Sequence, residues 1–338
     1  MKSKEIAFVS AKSRGVSPDL KLTKDYLEAN IKDVAFSYYL NTENSNNEMV
    51  KKGAKFSKKE FCKNLGDAIC IDGSLPVKLA KTAKEGSKIL ISVPYDYQFK
   101  AVNEGSKGKS TFKAFTHIIA GSPFGAQLFK EYYKTPKTKV IEGVCNPFAW
   151  DLNQEEKQRE MKNKFLQHFP SMKGKKVLSI LLTGHLEDDE KNPFDKFDWR
   201  SFLKTIGDEW FVFVNSSDLL ENTVLLNSKY KSCFGYVNKM MDARDLMYFS
   251  DCLITNSGMY ASYFSSKKKP VYCLKYTDNA FEKYIKKKFS SLYIRDIGEK
   301  TKMIMEEKFG DEHKAFSNHF SYGTEVNPSE KIMEILSK

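Results

Sequence analysis

The sequence predicts an α/β protein of two domains, each built around a parallel sheet. Its 338 residues exceed what one hydrophobic core usually serves. Short apolar runs alternate with helix-like segments along the chain, which is the pattern of parallel strands joined by helices. The charged segment Asn153 to Lys164 separates an earlier series of runs from a later one. We therefore expect one domain at residues 1–150 and a second at 151–338.

The first domain is expected to open with a buried strand, Ile6 to Val9, and a helix from Leu22 to Asn30. Its further strands are predicted at Val34 to Tyr39, Ala68 to Ile71, Ile89 to Val93 and Thr116 to Ala120. Strands of the second domain are predicted at Val177 to Leu182, Trp210 to Val214, Lys231 to Val237, Cys252 to Ile254 and Val271 to Leu274. Open sheets of this kind bind ligands at the carboxyl ends of their strands, so two facing domains place a site in the cleft between them.

The junction after the strand Cys252 to Ile254 predicts a phosphate-binding unit. A tight turn leads there directly into a helix at Met259 to Ser266. The free N–H groups and the dipole of a helix start, together with nearby hydroxyls, suit a diphosphate or an anionic acceptor. The residues expected to contact it are Thr255, Asn256, Ser257, Gly258 and Ser262. The alternative is that Asn256 and Ser257 cap the helix and bind no ligand.

Composition and charge narrow the class of protein. Hydrophobic residues make up 41% and aromatic residues 13%, which favours large packed interiors over disorder. Basic residues exceed acidic ones by 12, so anionic partners are expected, such as a nucleotide, a phosphorylated polymer or an acidic membrane face. The runs at Lys267 to Lys269 and Lys286 to Lys288 are typical of solvated surfaces. No nucleic-acid-binding motif accompanies them, and we predict no nucleic-acid partner.

The six cysteines and the first residues of the chain indicate the cellular compartment of the protein. The cysteines show neither CxxC pairing nor metal-ligand spacing, so they are interpreted as buried, reduced thiols. The start, MKSKEIAFVS, lacks the apolar core of a signal peptide, and no run reaches the length of a membrane span. We therefore predict a cytoplasmic protein whose membrane contact is at most peripheral, on the inner face of the cell membrane.

Six segments carry a family resemblance in matching order: Phe8 to Leu27, Gly121 to Tyr133, Gly143 to Leu152, Lys175 to His185, Ser250 to Gly258 and Tyr276 to Tyr293. With them the chain resembles a divergent member of the CDP-glycerol glycerophosphotransferase family of teichoic-acid and capsule polymerases. The resemblance implies two Rossmann-like domains with parallel sheets facing across a cleft, the GT-B arrangement. It also implies a nucleotide-activated donor as co-substrate with no separate cofactor, and a lipid-linked or oligosaccharide acceptor.

The chain departs from the family at its catalytic histidine. Where the family reads Trp-His-Gly-Thr-Pro-Leu-Lys, with the histidine as base, residues 94–100 read PYDYQFK. Asp96 is the candidate base in its place, at the carboxyl end of a predicted strand, and the alternative is that it caps a turn. His185 follows another strand through Thr183, which is assigned to donor binding, and His185 itself is a candidate for binding donor phosphate or sugar hydroxyls. The alternative for His185 is a surface histidine beside an acidic loop.

Further candidates complete the expected site. Ser13, Arg14 and Tyr95 are assigned to the acceptor, although an exposed loop arginine is equally ordinary. The resemblance implies that Asp278 and Glu282 hold ribose hydroxyls, whereas acids at a helix start are also favoured by its dipole. We predict no required metal, because the adjacent acids Asp188 and Asp189 give no ligand geometry.

Three functions remain open from the sequence. The first is a transferase that uses CDP-glycerol to build or decorate a cell-surface polymer. The second is a GT-B glycosyltransferase with an NDP- or CMP-sugar donor, or a related nucleotide-sugar epimerase. The third is a non-catalytic homologue that kept the fold and lost the family histidines.

Overall fold

The computed structural model describes residues 4–10, 16–40, 54–55, 67–71, 89–93, 112, 115–133, 137–183, 197–215, 232–236, 242–305 and 310–337. The chain forms two compact units. Unit 1 comprises Met1–Trp150 together with His319–Lys338, and unit 2 comprises Asp151–Asn318. Both are α/β units with parallel sheets, which confirms the fold class predicted from the sequence. No helix in the described ranges combines the length and apolar character needed to cross a membrane.

Unit 1 contains a seven-stranded sheet. Its strands are β1 (Lys4–Ser10), β2 (Val34–Leu40), β3 (Ala54–Lys55), β4 (Ala68–Ile71), β5 (Ile89–Ser92), β6 (His117–Gly121) and β7 (Lys139–Cys145). They follow the order β3-β2-β1-β4-β5-β6-β7, and neighbouring strands pair in parallel. The apolar runs become strands because helices cover the faces of a parallel sheet, so β4 is buried throughout and β6 nearly so, whereas the edge strand β7 exposes Lys139, Glu142 and Gly143.

The described helices of unit 1 are α1 (Pro18–Asn30), α2 (Pro123–Gln127), which continues as a π-helical turn over Leu128–Tyr132, α3 (Pro147–Asp151) and, from the end of the chain, α10 (Pro328–Leu336). Ser17 caps α1, since its hydroxyl accepts the Leu20 N–H, and Pro18 occupies the first helical position. The buried Asp19 carboxylate accepts the Phe148 N–H at 2.8 Å and so caps α3 from a distant part of the sequence.

Unit 2 contains a six-stranded sheet. Its strands are β8 (Lys176–Leu181), β9 (Trp210–Val214), β10 (Phe234–Tyr236), β11 (Cys252–Thr255), β12 (Val271–Leu274) and β13 (Tyr293–Ile294). Its described helices are α4 (Glu155–His168), α5 (Trp199–Ile206), α6 (Gly258–Ser265), α7 (Ala280–Lys288), α8 (Thr301–Met305) and α9 (Asp311–Phe320). The strand order is β10-β9-β8-β11-β12-β13, all parallel.

An aromatic cluster fills one side of unit 2. Phe165 of α4 contacts the edge of the Phe213 ring at a centroid distance of 5.6 Å, and Phe169 meets Phe211 and Phe213 at 6.0 and 5.1 Å. All five residues of β9 are buried. Phe165, the one buried residue of the charged helix α4, therefore anchors this helix to β9.

The core of unit 1 depends on the last helix of the chain. Ile332 of α10 is fully buried in the cluster that contains Ile6, Phe8 and Leu20.

We expect Ile332→Ala to lower the stability of unit 1 by about 2–5 kcal/mol, because it removes buried methyl groups and leaves a cavity. Hydrogen–deuterium exchange should quicken in peptides from β1 and β4 and stay unchanged in those from β8 and β11. The matched control is Glu334→Ala on the exposed side of α10, where an effect within about 0.5 kcal/mol is expected. Equal acceleration in both units would contradict this assignment.

Candidate functional site

The candidate site lies where the strand order of unit 2 reverses. The chain runs outward from β8 through β9 to β10, then returns to the other side of β8 and continues through β11, β12 and β13. The crossovers on the two sides of this point cover opposite faces, so a crevice opens at the carboxyl ends of β8 and β11. Leu181 and Thr255, which are paired in the sheet, are the last residues of those strands.

Asn256 braces the chain on one side of this crevice. Its side-chain oxygen accepts the Thr183 N–H at 2.8 Å, and its NH₂ group donates to the Thr183 carbonyl at 2.8 Å. The same NH₂ group also donates to the Thr277 hydroxyl at 3.1 Å. Asn256 is fully buried. The Asn256 side-chain amide thus bonds to the backbone of Thr183 as a neighbouring strand would, beyond the end of β8.

Asn215 forms the same two-point pairing from the other side. Its oxygen accepts the Leu182 N–H at 2.7 Å, and its NH₂ group donates to the Leu182 carbonyl at 3.2 Å. The Thr255 hydroxyl donates to the Leu181 carbonyl at 2.5 Å and accepts the Ser257 N–H at 3.0 Å. Side chains therefore satisfy the backbone from Leu181 to Thr183, so the end of β8 is held rigidly.

The first turn of α6 carries the donors that remain. Ser257 is the N-cap, and its hydroxyl accepts the Tyr260 N–H at 3.4 Å. Helix geometry leaves the N–H groups of Gly258 and Met259 without an intrahelical partner. Gly258 is buried and Met259 is half-buried, and both follow β11 directly at the carboxyl edge of the sheet. The positive end of the α6 dipole and two free N–H groups form an arrangement suited to an oxyanion.

A loop from β12 to α7 forms the adjoining wall. The Glu282 carboxylate, which is fully buried, accepts the N–H groups of Tyr276, Thr277 and Asp278 at 2.9–3.0 Å and the Thr277 hydroxyl at 3.1 Å. These bonds hold Asp278 in a left-handed conformation, with φ of 49°. Asn279 caps α7 by accepting the Glu282 N–H, and its NH₂ group donates to the Asn256 carbonyl at 2.9 Å. The loop is therefore tied to the turn before α6.

The structure brings together most of the predicted donor-site residues. Thr183, Thr255, Asn256, Ser257 and Gly258 meet at the crevice, with Asp278 and Glu282 in the adjoining loop. Asn256 and Glu282 use their side chains to hold neighbouring backbone. The Asp278 carboxylate is exposed and pairs with Lys283 at 3.1 Å. Ser262 is buried in the second turn of α6. Direct contact of these side chains with a ligand stays a prediction.

The remaining predicted residues are Ser13, Arg14, Tyr95, Asp96 and His185, which lie outside the described residues. Their assignments to acceptor binding and catalysis stay predictions. Within the described residues, no three histidine, cysteine or acidic side chains cluster as metal ligands would.

The sequence analysis missed three members of the site: Asn215, Thr277 and Asn279. Each is a small polar residue within a few positions of the carboxyl end of a strand, where such side chains can replace a missing strand partner or cap a helix. Their position close to the end of a predicted strand is the feature of the sequence that could have identified them. The missed residues are structural parts of the crevice: Asn215 and Asn279 bond to backbone carbonyls, and the Thr277 hydroxyl bonds to the side chains of Asn256, Asn279 and Glu282.

The corresponding edge of unit 1 is closely packed. Gly121 ends β6 with φ of 71°, and a side chain there would place its Cβ 2.1 Å from the Asn146 oxygen. Asn146 follows β7 and is buried, and Ser122 caps α2 by accepting the Gly125 N–H at 2.9 Å. Only glycine therefore permits β6 and the residue after β7 to approach this closely.

Comparison with known proteins bears on the fold. No family model and no curated protein sequence matches the chain. The structure of the wall teichoic acid polymerase TagF is similar with a TM-score of 0.72 and 15% identity, covering 99% of this chain and 89% of that one. A TagF variant soaked with CDPG gives 0.69 and 16%, covering 99% and 88%. UDP-GlcNAc 2-epimerase from Neisseria meningitidis, bound to UDP-GlcNAc, gives 0.60 and 14%, covering 98% and 99%.

These similarities extend over nearly the whole chain at low sequence identity. They therefore concern the fold, and they confirm at that level both the two-domain α/β architecture and the resemblance drawn from the sequence. The chain shares the fold of TagF and of the UDP-GlcNAc 2-epimerases.

Proposed function

We propose that the protein transfers a glycerophosphoryl or glycosyl group from a nucleotide-activated donor to a cell-surface polysaccharide or a teichoic-acid-like polymer. The simplest donor is CDP-glycerol. The observation that carries the proposal is the first turn of α6, whose Gly258 and Met259 N–H groups have no intrahelical partner and follow β11 directly, at the switch point of a parallel sheet. Support also comes from structures of this fold named as a wall teichoic acid polymerase and as an epimerase bound to UDP-GlcNAc.

The crevice is suited to the diphosphate of such a donor. The α6 dipole and its two free N–H groups compensate negative charge, and glycine at the first helical position lets a phosphate approach the backbone. Lys275 follows β12 at the same edge and is exposed, so a cation is available nearby. Because Asn215 and Asn256 fix the end of β8, these donors need little reorganisation when charge develops on the leaving group.

The transfer itself needs a base for the acceptor hydroxyl. The acceptor oxygen bonds to the transferred phosphorus or anomeric carbon, its proton passes to the base, and the bond to the nucleotide breaks so that the nucleotide leaves with the electron pair. In this proposal Asp96 is the base, and His185 contacts the donor phosphate or sugar hydroxyls. Ser13, Arg14 and Tyr95 would position the acceptor.

A second candidate is a glycosyltransferase or epimerase with a nucleotide-sugar donor. The likeness to an epimerase bound to UDP-GlcNAc over 98% of the chain favours this class. Both candidates place a nucleotide diphosphate at the same helix start. They differ in the base and the transferred group.

The deciding experiment is a calorimetric and thermal-shift screen of the purified protein with CDP-glycerol, CDP-ribitol, CMP, UDP-sugars, GDP-sugars and CMP-sugars. We expect CDP-glycerol to bind and to raise the melting temperature, since a ligand that binds only the folded state stabilises it. Preference for a UDP- or GDP-sugar would select the second candidate. Absence of binding to every compound would rule out both and leave a non-catalytic role.

Asn256→Asp should lower both the stability of the protein and its nucleotide affinity, although the two side chains have the same shape. The carboxylate keeps the bond from the Thr183 N–H, but it cannot donate to the Thr183 carbonyl or the Thr277 hydroxyl. We expect the free energy of unfolding to fall by about 1–3 kcal/mol, the cost of unsatisfied buried groups. Nucleotide affinity should fall as well, because negative charge is added beside the α6 start. Asn153→Asp, at a half-buried position bonded to Ser266, is the control for the same chemical change. Equal melting temperatures for Asn256→Asp and wild type would contradict the proposed role of Asn256 in holding the end of β8.

Met259→Glu should separate ligand binding from stability. A carboxylate in the first turn favours the helix dipole, so the melting temperature should stay equal or rise. The same charge repels a diphosphate at the Gly258 and Met259 N–H groups, and calorimetry should show at least about tenfold weaker nucleotide binding. Met259→Gln is the neutral control and should bind nearly as the wild type does. If both variants bind alike, no diphosphate lies at this turn.

A further inference from the structure

Two lysine runs of unit 2 lie at the same edge of its sheet. Lys268 lies in the turn after α6 and precedes β12, while Lys286, Lys287 and Lys288 end α7 shortly before β13. β12 and β13 are neighbouring parallel strands. Chains that enter neighbouring parallel strands come from the same side, so all four lysines lie at the amino edge, opposite the candidate site. We call these four lysines the basic face.

The basic face carries uncompensated charge. All four side chains belong to exposed residues, and no ion pair involves any of them in the described part of the chain. The three acidic residues that shortly precede β11 at this edge are already paired: Asp242 with Arg244, Asp245 with Lys164 at 2.9 Å and Asp251 with Lys269 at 2.8 Å. Asp208 and Glu209 precede β9, which is three strands away from β12. The local field is therefore positive.

The lysines on either side of Lys268 have a different role. The Lys267 ammonium donates to the carbonyls of Tyr248 at 2.6 Å and Leu152 at 3.3 Å, and burial lowers the pKa of Lys267 to about 7. Lys269 donates to the Ser250 carbonyl and to Asp251. These two lysines point inward and hold unit 2 together. Lys268 between them points outward and makes no such bond, so its charge is free to act on a partner.

We propose that the basic face docks unit 2 on an anionic membrane surface. Helix α7 is amphipathic, with Phe281 and Ile285 buried and its lysines turned to solvent. Clusters of four or more basic residues are attracted to anionic leaflets through a diffuse field. Tyr284, which is half-buried, lies beside the lysines, with its ring centroid 5.8 Å from the Lys288 ammonium, and supplies a ring with a polar tip that suits the headgroup region.

The chemistry of the face favours a bilayer over a bound phosphate polymer. Lysine is a flexible point charge, whereas shaped recognition of phosphate relies on the planar fork of arginine or on helix N-termini. The basic face contains lysine alone and lies at the C-terminal end of α7, where the helix dipole is negative. Such a face attracts an extended charged surface without fixing a single phosphate. Docking through it would leave the carboxyl edge, and the candidate site, turned away from the lipid.

The test is vesicle co-sedimentation of the full chain with the triple variant Lys286→Gln, Lys287→Gln, Lys288→Gln. Vesicles of phosphatidylcholine with phosphatidylglycerol are compared with phosphatidylcholine alone, at low and high salt. The matched control is Lys204→Gln, Lys302→Gln, Lys314→Gln, which removes the same charge from other exposed positions of unit 2. We expect the wild type and the control to bind the anionic vesicles, the triple variant to bind about 100-fold more weakly, and high salt to release the protein. Circular dichroism and melting temperature confirm that both variants are folded.

Three outcomes would overturn the proposal. The first is no binding of the wild type to anionic vesicles. The second is equal loss in the triple variant and its control, because net charge and not the basic face would then decide. The third is equal binding of the wild type to vesicles of phosphatidylcholine alone, which would show that the charge of the basic face does not drive the docking.

Discussion

The candidate site depends on the need to satisfy buried backbone groups where a parallel strand runs past its neighbours. β8 is flanked by β9 and β11, and its last residues continue into the crevice beyond both. Each unpaired buried N–H or C=O would cost about 1–3 kcal/mol. Asn215 and Asn256 remove that cost with two bonds each. An amide is suited to this task because it presents one donor and one acceptor in the spacing of a peptide group.

The same requirement links the crevice to its adjoining loop. Asn279 caps α7 and donates to the carbonyl of Asn256, and Thr277 accepts a bond from the Asn256 side chain. Glu282 orders the backbone between them with four accepted bonds. Among the described residues of the crevice, the first turn of α6 thereby keeps backbone N–H groups that are uncommitted. Its donors are available to a ligand because side chains satisfy the groups around them.

The sequence predicted the sheets well because parallel strands bury both faces and so appear as unbroken apolar runs. Trp210–Val214 and Val271–Leu274 were predicted with the observed bounds for this reason. The two-residue strands β3 and β13 carry too few residues for such a signal. In the site, the start of α6 was predicted from local helix-capping chemistry. The brace by Asn215 was not, because it joins residues 33 positions apart and depends on strand order.

The two units differ in which parts of the chain they need in order to fold. Unit 2 is one continuous segment, 151–318, whereas unit 1 needs residues from both ends of the chain. Ile332, Ile335 and Leu336 of α10 belong to the same core cluster as Ile6 and Leu27, and Tyr26 of α1 donates to Glu330 at 3.2 Å. The core of unit 1 therefore stays incomplete until the last helix is present. Since closing contacts across some 300 residues costs more entropy than closing local ones, unit 2 is free to form before unit 1 is finished.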